Sequence, residues 1–172
     1  MFVLGIDPGV TRCGYGFVRH EPGGKSTALA AGVLTTLPSA PLPERLASLH
    51  EDLSALLADL VPEVVVVERV LFSANARTAM ATGQASGIAL TLAHQAGCAV
   101  FTYSPNEVKL AVAGHGGADK RQVQRMVAIL LGLDSPPRPA DAADALALAL
   151  THLALGRIPA CAAASTDQGA HR

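Results

Sequence analysis

Four consecutive valines, residues 64–67, lie between Glu63 and Glu68 and constrain the fold more than any other stretch of the chain. The run is too short for a helix, and continuous β-branched residues are typical of a strand that is covered on both faces. We therefore predict a central strand of an α/β sheet that ends in the carboxylate of Glu68.

Three strands are predicted before this run and one after it. Residues 2–7, FVLGID, form an apolar strand that ends at Asp7, before the Pro8-Gly9 turn; RCGYGFVRHE and STALAAGVLTT complete an antiparallel meander. CAVFTYS predicts a fifth strand, in a half of the chain where strands and helices alternate. The predicted fold class is α/β: a five-stranded mixed sheet, three antiparallel strands and then two parallel, flanked by helices on both faces.

Four helical patterns surround these strands. Leucines recur at three- and four-residue steps before Pro62, small residues fill 74–97, an apolar stripe follows Asp119, and RPADAADALALALTH forms the last helix. We expect a single domain over residues 1–155. Beyond it, small and polar residues without periodicity predict a flexible C-terminal tail over 156–172.

Composition limits the possible functions. The net charge of −1 argues against a uniformly basic nucleic-acid binder, but residues 69–125 carry six basic side chains against two acidic ones, a candidate electrostatic footprint. The three cysteines are far apart, so neither a disulfide framework nor a zinc site is predicted. The amino end lacks the pattern of a signal peptide, and we expect a cytoplasmic protein.

Two pairs of acids stand out in this pattern. Asp7 and Glu68 end apolar strands that we expect to be neighbours, and ligands gather at the carboxyl ends of parallel strands. Asp141 and Asp144 are three residues apart on an otherwise apolar helix, so they share one face. If that helix packs near the strand ends, four carboxylates converge in one pocket. Their repulsion favours a hard divalent cation, Mg²⁺ or Mn²⁺.

Each carboxylate alone has an ordinary structural explanation. Asp144 suits a solvated surface, Asp141 the first turn of a helix, Asp7 a DPG turn and Glu68 a strand end. The joint pattern is what favours a metal site over these explanations.

Four stretches carry a family pattern: GIDPGVTRCGYG, VVVERVLFSANARTAMATGQASG, SPNEVKLAVAGHGGADKRQVQRMV and PADAADALALALTH. Together they closely resemble the RuvC family of Holliday-junction resolvases, within the ribonuclease H-like superfamily. The resemblance extends over residues 2 to about 155, in the family's order and spacing, and does not cover the tail.

The resemblance implies a catalytic and metal-binding tetrad of Asp7, Glu68, Asp141 and Asp144. It implies two Mg²⁺ or Mn²⁺ ions per site, with Asp7 as the bridging ligand, Glu68 and Asp144 completing the two sites, and Asp141 holding or orienting the second metal. It further implies a homodimer that cuts two opposing strands of four-way junction DNA and leaves 5′-phosphate and 3′-hydroxyl ends. RuvA and RuvB, the branch-migration proteins, are expected as partners.

Several residues are candidates for contacting the DNA. Lys109 and Lys120 match the family's DNA-contacting lysines, and nearby glycines permit close backbone approach. A glycine-rich loop before an ordinary charged helix is the alternative. Leu71 and Phe72 follow Glu68 closely, and one of them would stack on a base at the junction, although which one acts as this wedge stays open. The remaining candidates are Arg69, Arg77, Arg121 and Arg125.

A stripe of small residues, Ala79, Gly83 and Gly87, recurs at four-residue steps along the helix predicted over 74–97. Such a stripe allows close backbone approach, either to the molecule's own sheet or to a second copy. Because two symmetric cuts require two sites, we expect a dimer contact through this helix.

Other functions are compatible with parts of the pattern. DPGVT is similar to the phosphate loop of sugar-kinase and actin-like ATPases, but those enzymes need a second, similar domain. Another ribonuclease H-like nuclease acting on simple duplex or RNA, or a non-catalytic junction-binding protein, are the remaining alternatives. The second of these would require the loss of a carboxylate, and all four are present.

Overall fold

The computed structural model describes residues 1–70 and 76–156. Its elements are, in chain order, β1 (Phe2–Asp7), β2 (Arg12–His20), β3 (Ser26–Thr35), α1 (Leu42–Leu60), β4 (Val64–Glu68), α2 (Ala76–Gln95), β5 (Ala99–Tyr103), α3 (Pro105–Ala113), α4 (Lys120–Leu131) and α5 (Ala140–Leu155). Leu71, Phe72 and the predicted tail beyond Gly156 lie outside the described residues. No helix within the described ranges is both long and apolar enough to cross a membrane.

The five strands form one sheet in the order β3-β2-β1-β4-β5. β1 pairs antiparallel with β2, and β2 with β3, whereas β1 with β4 and β4 with β5 are parallel. This is the predicted mixed sheet, and the fold class is confirmed. Because Ile6 pairs with Val67 in parallel register, Asp7 and Glu68 end their strands at the same edge of the sheet.

The four valines of β4 divide between two cores, as a strand covered on both faces requires. Val65 and Val67 pack with α1 and α2, whereas Val64 and Val66 pack with α3, α4 and α5 on the opposite face. All four are at most 1% exposed. In α5, every residue from 142 to 152 except Asp144 is buried.

Glycines on β1 and β2 allow α5 to lie directly on the sheet. A Cβ at Gly5 would collide with the carbonyl oxygen of Ala145, and one at Gly14 with that of Asp141. A Cβ at Gly16 would lie 2.6 Å from a backbone nitrogen of the same helix. The alanines of α5 complement these glycines, since small side chains on both partners let the two backbones approach closely.

One helix, α3, is not among those predicted from sequence periodicity. Its start is a capping box: the Ser104 hydroxyl accepts from the Glu107 N–H at 3.3 Å, and the Glu107 carboxylate accepts from the Ser104 N–H at 2.8 Å. The S-x-x-E spacing and Pro105 at the first helical position were the available signals. The helix ends at Gly114, whose φ of 80° suits glycine.

Candidate active site

The four carboxylates singled out in the sequence belong to three elements that meet at one edge of the sheet. Asp7 ends β1 and Glu68 ends the adjacent parallel strand β4. Asp7 pairs with Gly14 across the β1–β2 hairpin, and α5 crosses Gly14 at the backbone of Asp141. Asp144 lies one helical turn further along α5. The close contact between α5 and the sheet is therefore what brings the two aspartates to the strand ends.

A cavity of about 300 Å³ opens beside two of these carboxylates, Glu68 and Asp144. Both lysines predicted to contact DNA also line it, Lys109 from α3 and Lys120 from the start of α4. Its other walls are apolar, with Val123 among them. Acidic and basic groups thus face one space.

Burial and mutual repulsion raise the proton affinity of the two strand-end acids. The pKa of Asp7 is raised to about 7, first by burial and then by the charges of Glu68, Asp144 and Asp141. The pKa of Glu68 is also raised, by burial and then by the charge of Asp144. The second cause, the charge of the neighbouring carboxylates, is one that a cation bound at the strand ends would relieve.

Two basic residues from outside α5 partly neutralise its carboxylates. Arg12 donates from Nη2 to Oδ2 of Asp141 at 2.6 Å and from Nε to the same oxygen at 3.0 Å. Lys120 donates from Nζ to Oδ2 of Asp144, also at 2.6 Å. The hydrogen bond from Arg12 lowers the pKa of Asp141, and the bond to Asp144 raises the pKa of Lys120. Both partners are distant in sequence from α5, so the local sequence does not reveal them.

Arg12 is a site residue that no sequence pattern predicted. It begins β2 directly after the DPGVT turn, and a single arginine in a turn belongs to no recognisable motif. A second arginine, Arg45 of α1, supports the same turn: its guanidinium donates to the hydroxyls of Thr11 and Thr36. The Thr36 hydroxyl in turn donates to a backbone carbonyl of the turn at 2.6 Å. The segment between Asp7 and Arg12 is therefore held on the side facing α1.

Comparison with known proteins identifies the family. A family model described as Crossover junction endodeoxyribonuclease RuvC matches residues 3–152. The protein of the same description from Salinispora arenicola is 52% identical over 168 residues, which cover 98% of this chain and 96% of that protein. The chain belongs to the RuvC family.

Solved RuvC structures agree with the fold as well. The chain is similar to the Thermus thermophilus RuvC structure, with a TM-score of 0.83 and 42% sequence identity over 91% of this chain and 95% of that one. It is also similar to T. thermophilus RuvC in complex with Holliday junction substrate, with a TM-score of 0.82, 39% identity and the same coverage.

RuvC-family enzymes are generally metal-dependent, and the donor set of this member fits hard divalent cations. All four candidate ligands are carboxylates, the donors that Mg²⁺ and Mn²⁺ prefer. Within residues 1–70 and 76–156, no three Asp, Glu, His or Cys side chains already surround one point. Arg12 and Lys120 each hold one oxygen, Oδ2, of the two α5 carboxylates.

The other residues predicted to contact DNA in this RuvC-family chain lie in different settings. Arg69 donates to the carbonyl oxygen of Thr102 at 3.2 Å and lies 3.6 Å from the Glu107 carboxylate. Arg121 and Arg125 are exposed on α4. Arg77 lies in the first turn of α2, where only the backbone is described. That these residues bind DNA stays a prediction.

Proposed function

We propose that this chain resolves four-way DNA junctions by hydrolysing one phosphodiester on each of two opposing strands, with Asp7, Glu68, Asp141 and Asp144 as its catalytic and metal-binding residues. The observation that carries the proposal is the meeting of two strand-end acids with two aspartates of one helix beside a lysine-lined cavity. The RuvC family supplies the reaction class, since its description is that of a crossover junction endodeoxyribonuclease.

The proposal includes two Mg²⁺ or Mn²⁺ ions per site. Bound together, two such ions supply an activated water and stabilise the leaving oxygen of the scissile phosphate. The chain's own contribution is to position them. Asp7, buried between the other acids, is proposed as the ligand that the two ions share, and Glu68 and Asp144 as the ligands that complete the two ion sites. Asp141 suits the second ion or its waters. The products would carry 5′-phosphate and 3′-hydroxyl ends.

Lys109 and Lys120 are proposed to bind the phosphates that flank the scissile bond. Both line the cavity beside Glu68 and Asp144, so a phosphate at the carboxylates lies within the reach of two cationic side chains. Lys120 donates to Asp144 in this structure, and its exposed ammonium group would also be able to contact a phosphate bound in the cavity. Arg69, Arg77, Arg121 and Arg125 are proposed as further phosphate contacts, and Leu71 or Phe72 as the wedge.

A homodimer is proposed because two symmetric cuts need two sites. The small-residue stripe on α2 supports a contact there: Gly83 and Gly87 are exposed, and a Cβ at either would meet no described atom within 4 Å. The stripe is therefore open rather than packed on the molecule's own sheet. Partnership with RuvA and RuvB, a cytoplasmic location and a nuclease domain over residues 1–155 with a flexible tail complete the proposal.

Cleavage of a synthetic four-way junction tests the substrate and the reaction together. We expect the wild-type chain to cut the junction in Mg²⁺ or Mn²⁺ but not in EDTA, to leave a linear duplex of the same sequence intact, and to give nicks that a ligase can seal. Ligation reports the 5′-phosphate and 3′-hydroxyl ends. Cleavage of the linear duplex in place of the junction would favour a simple nuclease instead.

A further inference from the structure

A groove of about 1020 Å³ lies outside the carboxylate site, between α4 and the loop that leads into α5. Three arginines line it: Arg121 and Arg125 from α4, and Arg138 from the loop. Arg138 is not among the residues that the sequence predicts to contact DNA. The described residues that line the groove include no acid, and Asp134, close by in sequence, is not among them.

The three arginines are exposed, and within the described residues their side chains make no ion pair or hydrogen bond. This contrasts with Arg12, Arg19, Arg45 and Arg69, each of which has a partner inside the chain. Three unpartnered guanidinium groups around one acid-free groove form a local field that attracts an anion. A guanidinium presents its donors as a planar fork, which matches a phosphate.

Both walls of the groove are adjacent in the chain to active-site residues. On α4, Arg121 of the groove directly follows Lys120, which lines the cavity beside Glu68. On the opposite wall, Ala140 of the groove directly precedes Asp141. The groove therefore lies beside the active site, within reach of a strand whose scissile phosphate is at the carboxylates.

We propose that this groove binds the sugar-phosphate backbone of the DNA strand that continues beyond the scissile phosphate, with Arg121, Arg125 and Arg138 as phosphate contacts. The inference rests on the proposed junction-resolving function and adds a second binding site to it. The occupant is a nucleic-acid backbone because its phosphates repeat along the strand. Several guanidinium groups along one groove can therefore each meet a phosphate of the same strand.

The salt dependence of junction binding tests this inference, since each phosphate contact that is lost lowers the slope of log affinity against log salt by about one. Binding is followed by fluorescence anisotropy of a labelled junction in EDTA, so that no cleavage occurs. We expect R125Q/R138Q to bind more weakly than the wild type, with a slope smaller by about two. The charge-conserving R125K/R138K should keep most of the slope while binding more weakly, because lysine lacks the bidentate fork.

Arg19→Gln is the matched control. It removes one positive charge, as each substitution in the double variant does, from an exposed arginine that pairs with Glu21 at the opposite edge of the sheet, and it should keep the wild-type slope. An unchanged slope in R125Q/R138Q would contradict the proposal that the groove binds DNA. If that double variant unfolds at a lower temperature than the wild type, the single variant Arg138→Gln is measured instead, and its slope of log affinity against log salt should be smaller by about one.

The outcomes separate the groove from the proposed function. If the wild-type chain cuts the junction and the glutamine variants keep the wild-type slope, only the proposed DNA binding in the groove is contradicted. A wild-type chain that neither prefers nor cuts the junction contradicts the proposed function, whatever the slopes are.

Discussion

Asp7 stays protonated at pH values at which an ordinary aspartate is already ionised. Its pKa is about 7 in the folded chain, against 3.8 for an unperturbed aspartate. Between these values Asp7 binds more protons in the folded state than in the unfolded state, so its contribution to stability falls as pH rises from about 4 to about 7. The carboxyl group is therefore held in this position at the expense of stability, as is common at active sites.

The direction of this pH dependence gives a prediction for the stability of Asp7→Asn in EDTA. The variant should be more stable than the wild type at pH 8, by on the order of 1 to 3 kcal/mol, because a tenfold change in proton affinity is worth about 1.4 kcal/mol. The gain should shrink as the pH falls towards 4, where both side chains are uncharged. Urea unfolding at several pH values measures the difference. A gain that is the same at pH 4 and pH 8 would show that the charge of Asp7 is not what lowers the stability.

Arg12 and a cation compete for Asp141. We expect Arg12→Gln to bind Mn²⁺ about two- to fivefold more tightly in the absence of DNA, because an exposed ion pair worth up to about 1 kcal/mol no longer has to be broken. Isothermal titration calorimetry measures the affinity, and Arg19→Gln serves as the control. Weaker Mn²⁺ binding by Arg12→Gln would mean that Arg12 orients Asp141 for the metal instead.

Residue types alone were enough to predict that the four carboxylates come together, because acids at strand ends and on an apolar helix are conspicuous. They were not enough to predict Arg12. Its partner is 129 residues away, and the pair exists only because α5 crosses the hairpin at Gly14. Lys120 was predicted as a DNA contact, but its bond to Asp144 depends on the same placement of α5.

At the scale of elements, the contact between α5 and the β1–β2 hairpin determines the geometry of the site. Gly14 lies beneath the backbone of Asp141, and no flexible side chain there can move away to make room. Strand and helix propensities contain no information about such a contact. Sequence patterns therefore predicted the helix α5 but not how closely its backbone approaches the sheet. The short helix α3 was missed for a related reason, since its nine residues carry little periodicity.

Gly14→Ala should displace the start of α5. We expect it to lower the free energy of unfolding by about 1 to 3 kcal/mol, as overpacking of a close contact does, and to weaken Mn²⁺ binding. Gly117→Ala is the matched control, since a Cβ there would make only an ordinary contact at 3.7 Å. Urea unfolding and calorimetry measure the two effects. Equal stability and metal affinity in both variants would show that this contact does not position the acids.

At the scale of the whole molecule, the mixed sheet with β1 beside β4 was predicted from the sequence because two of its signals agree. Alternation in the first three strands indicated an antiparallel meander, and the buried valines indicated a central parallel strand. Together they place β1 beside β4 and hence Asp7 beside Glu68. How two copies meet has no comparable signal, because a stripe of glycines serves internal packing as readily as assembly.

The proposed dimer predicts the mass of the molecule in solution. The wild type should elute with twice the mass of the 17.6 kDa chain, and Gly83→Leu should shift it towards the monomer, because a bulky side chain separates the two helices. Size-exclusion chromatography with light scattering measures the mass. Ala47→Leu, at an exposed small residue of α1, is the control. An intact dimer in Gly83→Leu would exclude this contact.

The central claim is that the carboxylates perform the chemistry while other residues hold the junction. Single-turnover cleavage of a four-way junction at saturating enzyme, in Mg²⁺, tests it with Asp7→Asn and Glu68→Gln against the exposed α1 variant Glu51→Gln. We expect both site variants to bind the junction at least as well as the wild type and to cut it at least about a hundredfold more slowly, whereas Glu51→Gln cuts normally. Full cleavage by either site variant, with junction binding retained, would contradict the assignment of the chemistry to these acids.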